Sequence, residues 1–331
     1  MTKKKVWDRR SKKDLVDHLY TKYKGSCSFK QLLQWVGLAE SSYYYKEKGG
    51  KKGNKASSHT KHSTDGLIPN EQVVDQVRIY LEHPFIDYGY HNLCALLKRD
   101  GYVINHKKLY RLLKEANLLK NTNRIRPDRS NRKFVKFRRV NAQYPMEYLE
   151  MDIKMVWIPE KGKYAYLLSV IDVYSRRILG HVFQWSVKQA DVVKLISDII
   201  EQYRLPKEVI IRSDNGSQFI AKEVREYLAL VGVSQEFTHV ATPEENAHIE
   251  AYHGTLRRDI FLRFEYRTFG EIEQILDQYV IFYNQERLHG MIGRIPPMER
   301  WNHYFEKMAT VIQFVCAFQQ AKNDSVRSAA S

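Results

Sequence analysis

Three acidic residues in this sequence have the types and spacing needed for metal-dependent chemistry. Asp152 lies in the middle of an apolar segment, MEYLEMDIKMVW, and Asp214 ends a second apolar segment, EVIIRSD. Glu250 comes next, separated from Asp214 by 35 residues and one helical turn before His253. A buried carboxylate without a partner is costly. We therefore expect Asp152 to face a cleft or to bind a cation.

The elements around these residues predict an α/β fold. Three strand patterns come first, in EYLEMDIKMVWI, KYAYLLSVIDVY and RRILGHVFQW. A helix, a buried strand, a helix, a strand and two long helical patterns follow. This order predicts a mixed sheet, in which parallel strands extend a three-stranded meander. The fourth strand should lie beside the first, so that Asp214 and Asp152 face one cleft, and the next helix should add Glu250.

Composition indicates a globular protein with an anionic partner. The chain has 331 residues with 54 Lys and Arg against 38 Asp and Glu, and a net charge of +16. This excess is typical of proteins that neutralise phosphates, although a basic protein without that role is the alternative. Cys27, Cys94 and Cys316 are too few and too scattered for a disulfide framework or a zinc site. No uncharged apolar run could span a bilayer, so we expect a cytoplasmic, nucleoid-associated protein and no membrane partner.

The first 66 residues divide into two parts by composition. Residues 1–45 have helical apolar spacing and are predicted to form an N-terminal helical module. Residues 46–66 are rich in Gly, Ser and Lys, which predicts a flexible linker. His59 and His62 lie in this linker without cysteine partners for a zinc site. They are interpreted as part of a histidine-rich linker.

Residues 67–119 are predicted to form a helix-turn-helix domain. The pattern has a helix in YHNLCALLKRDG, a Gly-containing turn, and a helix in HKKLYRLLKEANLL that Asn105 can cap. The second helix of such a unit enters a DNA major groove. A solvated basic face on an ordinary helical hairpin is the alternative. The candidate DNA-binding residues of this helix are Lys107, Lys108, Arg111 and Lys114.

Residues 120–144 form a basic linker in which Phe134 and Phe137 interrupt a run of cations. Basic residues interleaved with aromatic ones suit a segment that follows a phosphate backbone and stacks on bases. A plain charged linker is the alternative. The candidate DNA-binding residues here are Arg124, Arg126, Arg132 and Lys133.

Five motifs together resemble a known family. They lie in the family's order between about residues 70 and 300, and they are YGYHNLCALLKRDGYVINHKKLYRLLKEANL, SVIDVYSRRILG, RSDNGSQF, ATPEENAHIEAYHGTLRRD and YNQERLHGMIGRIPP. They resemble the DDE transposases and retroviral integrases with an RNase H-like core, and in particular the second-frame transposases of the IS-three insertion sequences. One motif alone would be weak evidence, whereas five in order are specific.

The resemblance implies a catalytic core over residues 145–305, with a C-terminal tail at 306–331. Three converging carboxylates repel one another unless cations share the site, and oxygen ligands favour Mg²⁺ or Mn²⁺. The implied site holds two such ions: Asp152 bridges them, Asp214 binds one, and Glu250 binds the other. Arg257 would contact a DNA phosphate near the scissile bond.

The implied function is metal-dependent cleavage of DNA at the ends of an insertion sequence, followed by strand transfer into a target. The partners would be double-stranded DNA and a second copy of the chain, with a first-frame partner or a frameshift fusion also open. A catalytically inactive DNA-binding regulator is the alternative. An RNase H-like nuclease acting on RNA–DNA hybrids would leave residues 70–139 unexplained.

Two further groups of family residues are interpreted as structural. Asp172 falls just before a turn between strands, which favours a hydrogen-bonding role over catalysis. The motif YNQERLHGMIGRIPP places a polar group at the end of a helix, which it should anchor and where it could touch DNA. That group contains Tyr283, Asn284, Arg287 and His289.

Overall fold

The structure is a computed structural model, and it describes residues 9–45, 56–120, 140–203, 208–239 and 243–329. The chain divides into two compact units, Met1–Ser57 and Ser58–Ser331. None of the described helices is long and apolar enough to cross a membrane.

The first unit contains three helices. Val16, Leu33 and Leu38 are buried and form its small core. Ser28 caps the second helix, because its side chain accepts a hydrogen bond from the backbone N–H of Gln31. The helices are α1 (Arg9–Lys22), α2 (Phe29–Val36) and α3 (Glu40–Tyr43).

The second unit begins with a small antiparallel sheet, so the prediction of a flexible linker through residue 66 is wrong for residues 59–66. Thr60 is buried and donates a hydrogen bond to Asn70 Oδ1 at 2.9 Å. His62 Nε2 lies 2.7 Å from the carbonyl oxygen of Asp100. Four-residue strands are too short to show a period in the sequence, and their stability comes from packing against distant helices. The strands are β1 (His59–His62), β2 (Gly66–Pro69) and β3 (Tyr102–Val103), in the order β2-β1-β3.

Three helices pack on this sheet and confirm the predicted helical elements. Their core includes Leu93, Leu97, Leu109 and Leu113. Asn105 caps the third helix as expected, since its Oδ1 accepts from the backbone N–H of Lys108 at 2.8 Å. The helices are α4 (Asn70–Glu82), α5 (Tyr90–Arg99) and α6 (His106–Glu115).

The remaining part of the unit is the predicted mixed sheet with helices. Strand order is β6-β5-β4-β7-β8; the pairs β4–β5 and β5–β6 are antiparallel, whereas β4–β7 and β7–β8 are parallel. The fourth strand of the core therefore lies beside the first, as predicted. In chain order the elements are β4 (Tyr148–Ile158), β5 (Lys163–Asp172), β6 (Ile178–Gln184), α7 (Gln189–Tyr203), β7 (Val209–Ser213), α8 (Ser217–Ile220), α9 (Lys222–Leu230), β8 (Val233–Phe237), α10 (Ala247–Leu256), α11 (Phe269–Gln285) and α12 (Pro297–Ala329).

The two faces of the sheet are covered by different helices. Met151 and Leu168 pack in one apolar cluster with residues of α7 and α9. Val156 and Leu167 pack in another with residues of α10 and α11. Because side chains alternate along a strand, the even-numbered positions of β4 face α10. Asp152 is one of these positions.

Helix α12 corrects the boundary predicted at residue 305. The helix starts inside the core, where Trp301 is buried, and continues through the segment predicted as a tail. Residues 306–331 contain neither Gly nor Pro, and their composition permits an uninterrupted helix. The sequence offers no stop signal at residue 305.

Candidate active site

The pairing of β4 with β7 sets the register of the strands that lead to Asp152 and Asp214. In the parallel pair β4–β7, Tyr148 is opposite Ile210 and Glu150 is opposite Arg212. The same offset puts Asp152 level with Asp214, which directly follows the last residue of β7. That the two carboxylates share one cleft remains a prediction.

Asp152 is partly exposed on β4 and faces α10. Its side chain is 23% exposed, and its Oδ2 is 3.3 Å from Nδ1 of His253 on α10. Ser169 is its antiparallel neighbour on β5. The backbone N–H of Ile153 donates to Asp152 Oδ1 at 2.7 Å. The carboxylate is therefore oriented within the cleft.

A tight turn after β7 fixes Asp214. Its Oδ1 accepts a hydrogen bond from the backbone N–H of Gly216 at 2.9 Å, the contact typical of an Asx turn. A Cβ at Gly216 would lie 3.0 Å from that oxygen and 2.6 Å from the amide nitrogen of Gln218, so a larger residue here would displace the Gln218 side chain. Asn215 Nδ2 donates to the carbonyl oxygen of Thr238 at 2.9 Å. The motif RSDNGSQF thus presents an exposed carboxylate on a fixed loop.

Glu250 is exposed on α10, one turn before His253. Residues three apart on a helix share a face, so Glu250 lies on the side of α10 that contacts Asp152 through His253. Among the described residues, however, no three His, Cys, Asp or Glu side chains are arranged to hold a metal ion. Like charges repel, and carboxylates without a shared cation are expected to stay apart.

The donor set of the cleft fits a hard divalent cation. Asp152, Asp214 and Glu250 supply only oxygen atoms, which Mg²⁺ and Mn²⁺ prefer. Ser169 Oγ and His253 Nε2 are buried beside Asp152 and have no hydrogen-bond partner among the described residues. Such orphaned polar atoms suit a site that holds water, and Mg²⁺ usually keeps several of its waters.

Sequence analysis missed a second, fully buried carboxylate in the same strand. Glu150 is 0% exposed and accepts hydrogen bonds from the backbone N–H groups of His248 and Ile249, each at 2.9 Å. Its Oε1 also lies 2.6 Å from His248 Nδ1. The sequence contained one indication of this role, because Glu150 is an acidic residue two positions before Asp152 and on the same face of an apolar strand.

Arg212, the partner of Glu150 in the strand register, was also missed. It is 2% exposed and its Nη1 donates to the carbonyl oxygen of Glu245 at 2.7 Å. Its Nη2 donates to Glu236 Oε2 at 2.9 Å and to the hydroxyl of Tyr148 at 2.8 Å. Arg212 therefore fixes the segment that leads into α10.

Asp172 has the structural role that the sequence favoured. It is 0% exposed, and its oxygens accept from the backbone N–H groups of Met146 at 2.8 Å and Ser175 at 2.7 Å. Burial raises the pKa of Asp172, although these hydrogen bonds oppose the shift. The residue closes the turn after β5 and does not face the cleft.

The motif at the end of α11 anchors that helix, as predicted. Asn284 forms two hydrogen bonds, both of 2.9 Å, with the backbone of Ile178 on β6. Arg287 Nε donates to Asp259 Oδ2 at 2.9 Å, and the hydroxyl of Tyr279 donates to the same oxygen at 2.8 Å. The segment after α10 that contains Asp259 is thereby fixed to α11.

The candidate DNA-binding residues occupy different environments. Lys107 and Lys114 are exposed on α6, and Arg257 is exposed just after α10. Lys108 instead donates a hydrogen bond to the carbonyl oxygen of His59 at 2.5 Å, and burial lowers the pKa of Lys108. Its ammonium group therefore stabilises the fold. Arg111 Nε lies 3.8 Å from Glu115 Oε1. The remaining four candidates, Arg124, Arg126, Arg132 and Lys133, lie outside the described residues.

His289 should make stability depend on pH. Burial, with Arg287 and Arg176 nearby, lowers the pKa of His289 to about 3. An unfolded histidine takes up a proton near pH 6.5. Between about pH 6.5 and 3 the unfolded state therefore binds more protons, and stability falls as the pH falls through this window. When the pH falls from about 6.5 to 5, the free energy of unfolding should decrease in both proteins. We expect this decrease, measured by urea unfolding, to be about 2 kcal/mol smaller in a His289→Phe variant than in the wild type.

His303, which is exposed on α12, provides the control for this measurement. A His303→Phe variant should follow the wild-type dependence. If the free energy of unfolding changed equally with pH in the wild type and in His289→Phe, His289 would not be buried in its neutral form.

Comparison with known proteins identifies the domains. A family model described as an integrase core domain matches residues 142–243, and a second integrase core domain model matches residues 231–297. A model described as an HTH-like domain matches residues 70–126. The matches cover the mixed sheet, α10 and α11 in one part of the chain and the helical unit α4–α6 in the other.

Transposases of bacterial insertion sequences are among the relatives of this chain. The putative transposase InsK for insertion sequence element IS150 of Escherichia coli strain K12 is 23% identical over 290 residues, which are 83% of this chain and 94% of the relative. The transposase for insertion sequence element IS904 of Lactococcus lactis is 28% identical over 230 residues, 65% of this chain and 88% of the relative.

Solved integrases are more distant. A simian T-cell lymphotropic virus intasome in complex with PP2A regulatory subunit B56 gamma aligns with a TM-score of 0.43 at 12% identity, covering 65% of this chain and 70% of that chain. The HTLV-2 integrase catalytic core domain in complex with magnesium aligns with a TM-score of 0.36 at 14% identity, covering 45% and 94%.

The mixed sheet and the two integrase core matches define a protein with an RNase H-like α/β core, preceded by an HTH-like domain. Within that class the chain is similar to transposases of bacterial insertion sequences.

Proposed function

We propose that this protein is a DNA transposase that cleaves phosphodiester bonds at the ends of its insertion sequence and transfers the freed strand into target DNA. The observation that carries this proposal is the parallel register of β4 and β7, whose offset, continued by two residues, would bring Asp152 level with Asp214; α10 carries Glu250. The HTH-like domain and the net charge of +16 favour DNA as the substrate, in a nucleoid-associated protein.

In the proposed site, Asp152, Asp214 and Glu250 hold two Mg²⁺ or Mn²⁺ ions. Bound ions of this kind activate a water or a 3′-hydroxyl and stabilise the leaving oxygen. Asp152 is held within the cleft by its contacts with Ile153 N and His253, so it can serve as the shared ligand. The turn at Gly216 points Asp214 outward for one ion, and Glu250 approaches from α10 for the other.

Arg257 is proposed to bind a phosphate near the scissile bond. It is exposed and lies two turns of helix beyond Glu250, on the same side of the helix. A charge-assisted hydrogen bond from a guanidinium would fix the orientation of the phosphate. Because two DNA ends must be joined, we also propose that the active species is at least a dimer.

The proposal is tested by incubating the purified chain with labelled duplexes that carry the ends of its own element. We expect nicking at the 3′ ends with Mg²⁺ or Mn²⁺ and none after chelation with EDTA. Binding of the ends without cleavage under any metal condition would contradict the proposal and favour the inactive regulator. Cleavage of RNA–DNA hybrids in preference to duplex ends would favour a nuclease.

Exposed lysines of α6 should contribute to DNA affinity through phosphate contacts. We expect a Lys107→Ala, Lys114→Ala double variant to bind end duplexes more weakly and to reduce the slope of log affinity against log salt by about 2, roughly one per lysine. Fluorescence anisotropy over a salt series measures both quantities. Lys194, exposed on α7, supplies the control, because Lys194→Ala should leave the slope unchanged. An unchanged slope in the double variant would place the DNA on another surface.

A further inference from the structure

We infer that Glu150 is a positioning residue of the active site, which holds the first turn of α10 so that Glu250 faces Asp152. The inference rests on the proposed function and adds to it a fourth carboxylate, which does not bind the metal ions.

The start of α10 has no capping side chain of its own. Asn246 occupies the cap position, but its side chain accepts no hydrogen bond from the first turn. The first backbone N–H groups of a helix have no partners within it and need acceptors. Glu150 supplies them from a different element, because its Oε2 accepts from both His248 N and Ile249 N at 2.9 Å. A carboxylate at this end also interacts favourably with the helix dipole.

The position of Glu150 links the two parts of the site. It precedes Asp152 by two residues on the same face of β4, which corresponds to roughly 7 Å along a strand. Its acceptor oxygen holds the amide of Ile249, the residue directly before Glu250. The backbone of Asp152 is therefore connected to the backbone of Glu250 through Glu150 and its hydrogen bond with Ile249.

Neighbouring contacts hold the same segment to the same two strands. Asn246 Nδ2 donates to the carbonyl oxygen of Met151 at 3.3 Å. Arg212, two residues before Asp214, donates to the carbonyl oxygen of Glu245 at 2.7 Å. The strands that carry both aspartates thus fix the entry to α10.

Capping alone does not explain a carboxylate at 0% exposure. Burying a charge is expensive even when it is hydrogen-bonded, and a Ser or Asp at position 246 would satisfy the same donors from the cap position of the helix itself. The buried hydrogen bonds to Glu150 connect α10 to the strand of Asp152, whereas a cap within the helix would not make this connection. Such a link opposes the mutual repulsion of Asp152, Asp214 and Glu250 and preorganises them for cations.

The test compares Mn²⁺ binding and cleavage by the full chain and its Glu150→Gln variant. The glutamine keeps the shape of the side chain but replaces one acceptor oxygen with a donor group. We expect Mn²⁺ binding, measured by calorimetry, to weaken about tenfold, as is typical when a residue supporting metal ligands is changed. The Mn²⁺ concentration for half-maximal cleavage should rise by a similar factor, and affinity for end duplexes should stay within about twofold.

Asp172→Asn is the matched control. It alters another buried carboxylate that accepts two backbone N–H bonds, but one that does not contact α10. This variant should lose stability while Mn²⁺ binding stays within about twofold of the wild type. High Mn²⁺ should restore cleavage in Glu150→Gln and fail to restore it in Glu250→Gln, which lacks a proposed ligand.

His248→Ala gives a second variant that does not disturb the buried strand. It removes the 2.6 Å contact with Glu150 but keeps both backbone donors, so Mn²⁺ binding should weaken about two- to fourfold. Wild-type Mn²⁺ affinity in both Glu150→Gln and His248→Ala would overturn the inference, whether or not the wild type cleaves DNA. Absence of cleavage by a wild type that binds Mn²⁺ would count against the proposed function alone.

Discussion

An Asp214→Asn variant should lose cleavage of element ends by roughly a thousandfold, which corresponds to about 4 kcal/mol of transition-state stabilisation. Asparagine keeps the Asx turn, because its Oδ1 can still accept from Gly216 N, as the aspartate does at 2.9 Å. The fold of the loop is preserved, but the charge that a cation needs is lost. Affinity for end duplexes should therefore persist in gel-shift assays while the nicked product disappears.

A matched carboxylate outside the cleft controls for the change of net charge. Asp277 on α11 is 62% exposed and contacts His181 at 2.9 Å. An Asp277→Asn variant should cleave at the wild-type rate. Cleavage by Asp214→Asn within tenfold of the wild type would remove Asp214 from the proposed metal ligands. Loss of DNA binding in that variant would show instead that the loop serves recognition.

The core was predictable from the sequence because its strands are long and its order is restrictive. β4 and β5 span 11 and 10 residues, enough for their apolar pattern to be recognised. A meander followed by helix-connected strands leaves few possible sheet orders. That the strand leading to Asp214 lies beside the strand of Asp152 follows from that order and needed no knowledge of side-chain contacts.

Interactions between distant segments were not predictable in the same way. Glu150 and Arg212 are charged residues in apolar strands, and their partners include backbone groups 98 and 33 positions away. Backbone donors and acceptors leave no mark in the sequence. The strand at His59–His62 was missed for a related reason, because its burial depends on Asn70 and on the sheet partner at Tyr102.

The buried ion pair between Arg287 and Asp259 should be the most sensitive point for stability among the charged residues of the core. Their side chains are 12% and 7% exposed, with 2.9 Å between Arg287 Nε and Asp259 Oδ2. Burial lowers the pKa of Arg287, but Tyr279 and Asp259 together raise it above its ordinary value, so the guanidinium stays charged. An Arg287→Ala variant should lose about 3–5 kcal/mol of unfolding free energy, because it leaves Asp259 buried without a cation.

Urea unfolding of two further variants separates the causes of this loss. Arg99 forms a more exposed pair with Glu299 at 2.6 Å, and Arg99→Ala should cost less than about 1 kcal/mol. Adding Asp259→Asn to Arg287→Ala removes the uncompensated charge and should recover part of the lost stability. Equal costs for Arg287→Ala and Arg99→Ala would contradict the role assigned to the buried pair. Since Asp259 lies two residues beyond Arg257, loss of this pair should also displace the proposed phosphate contact and lower cleavage in the fraction that remains folded.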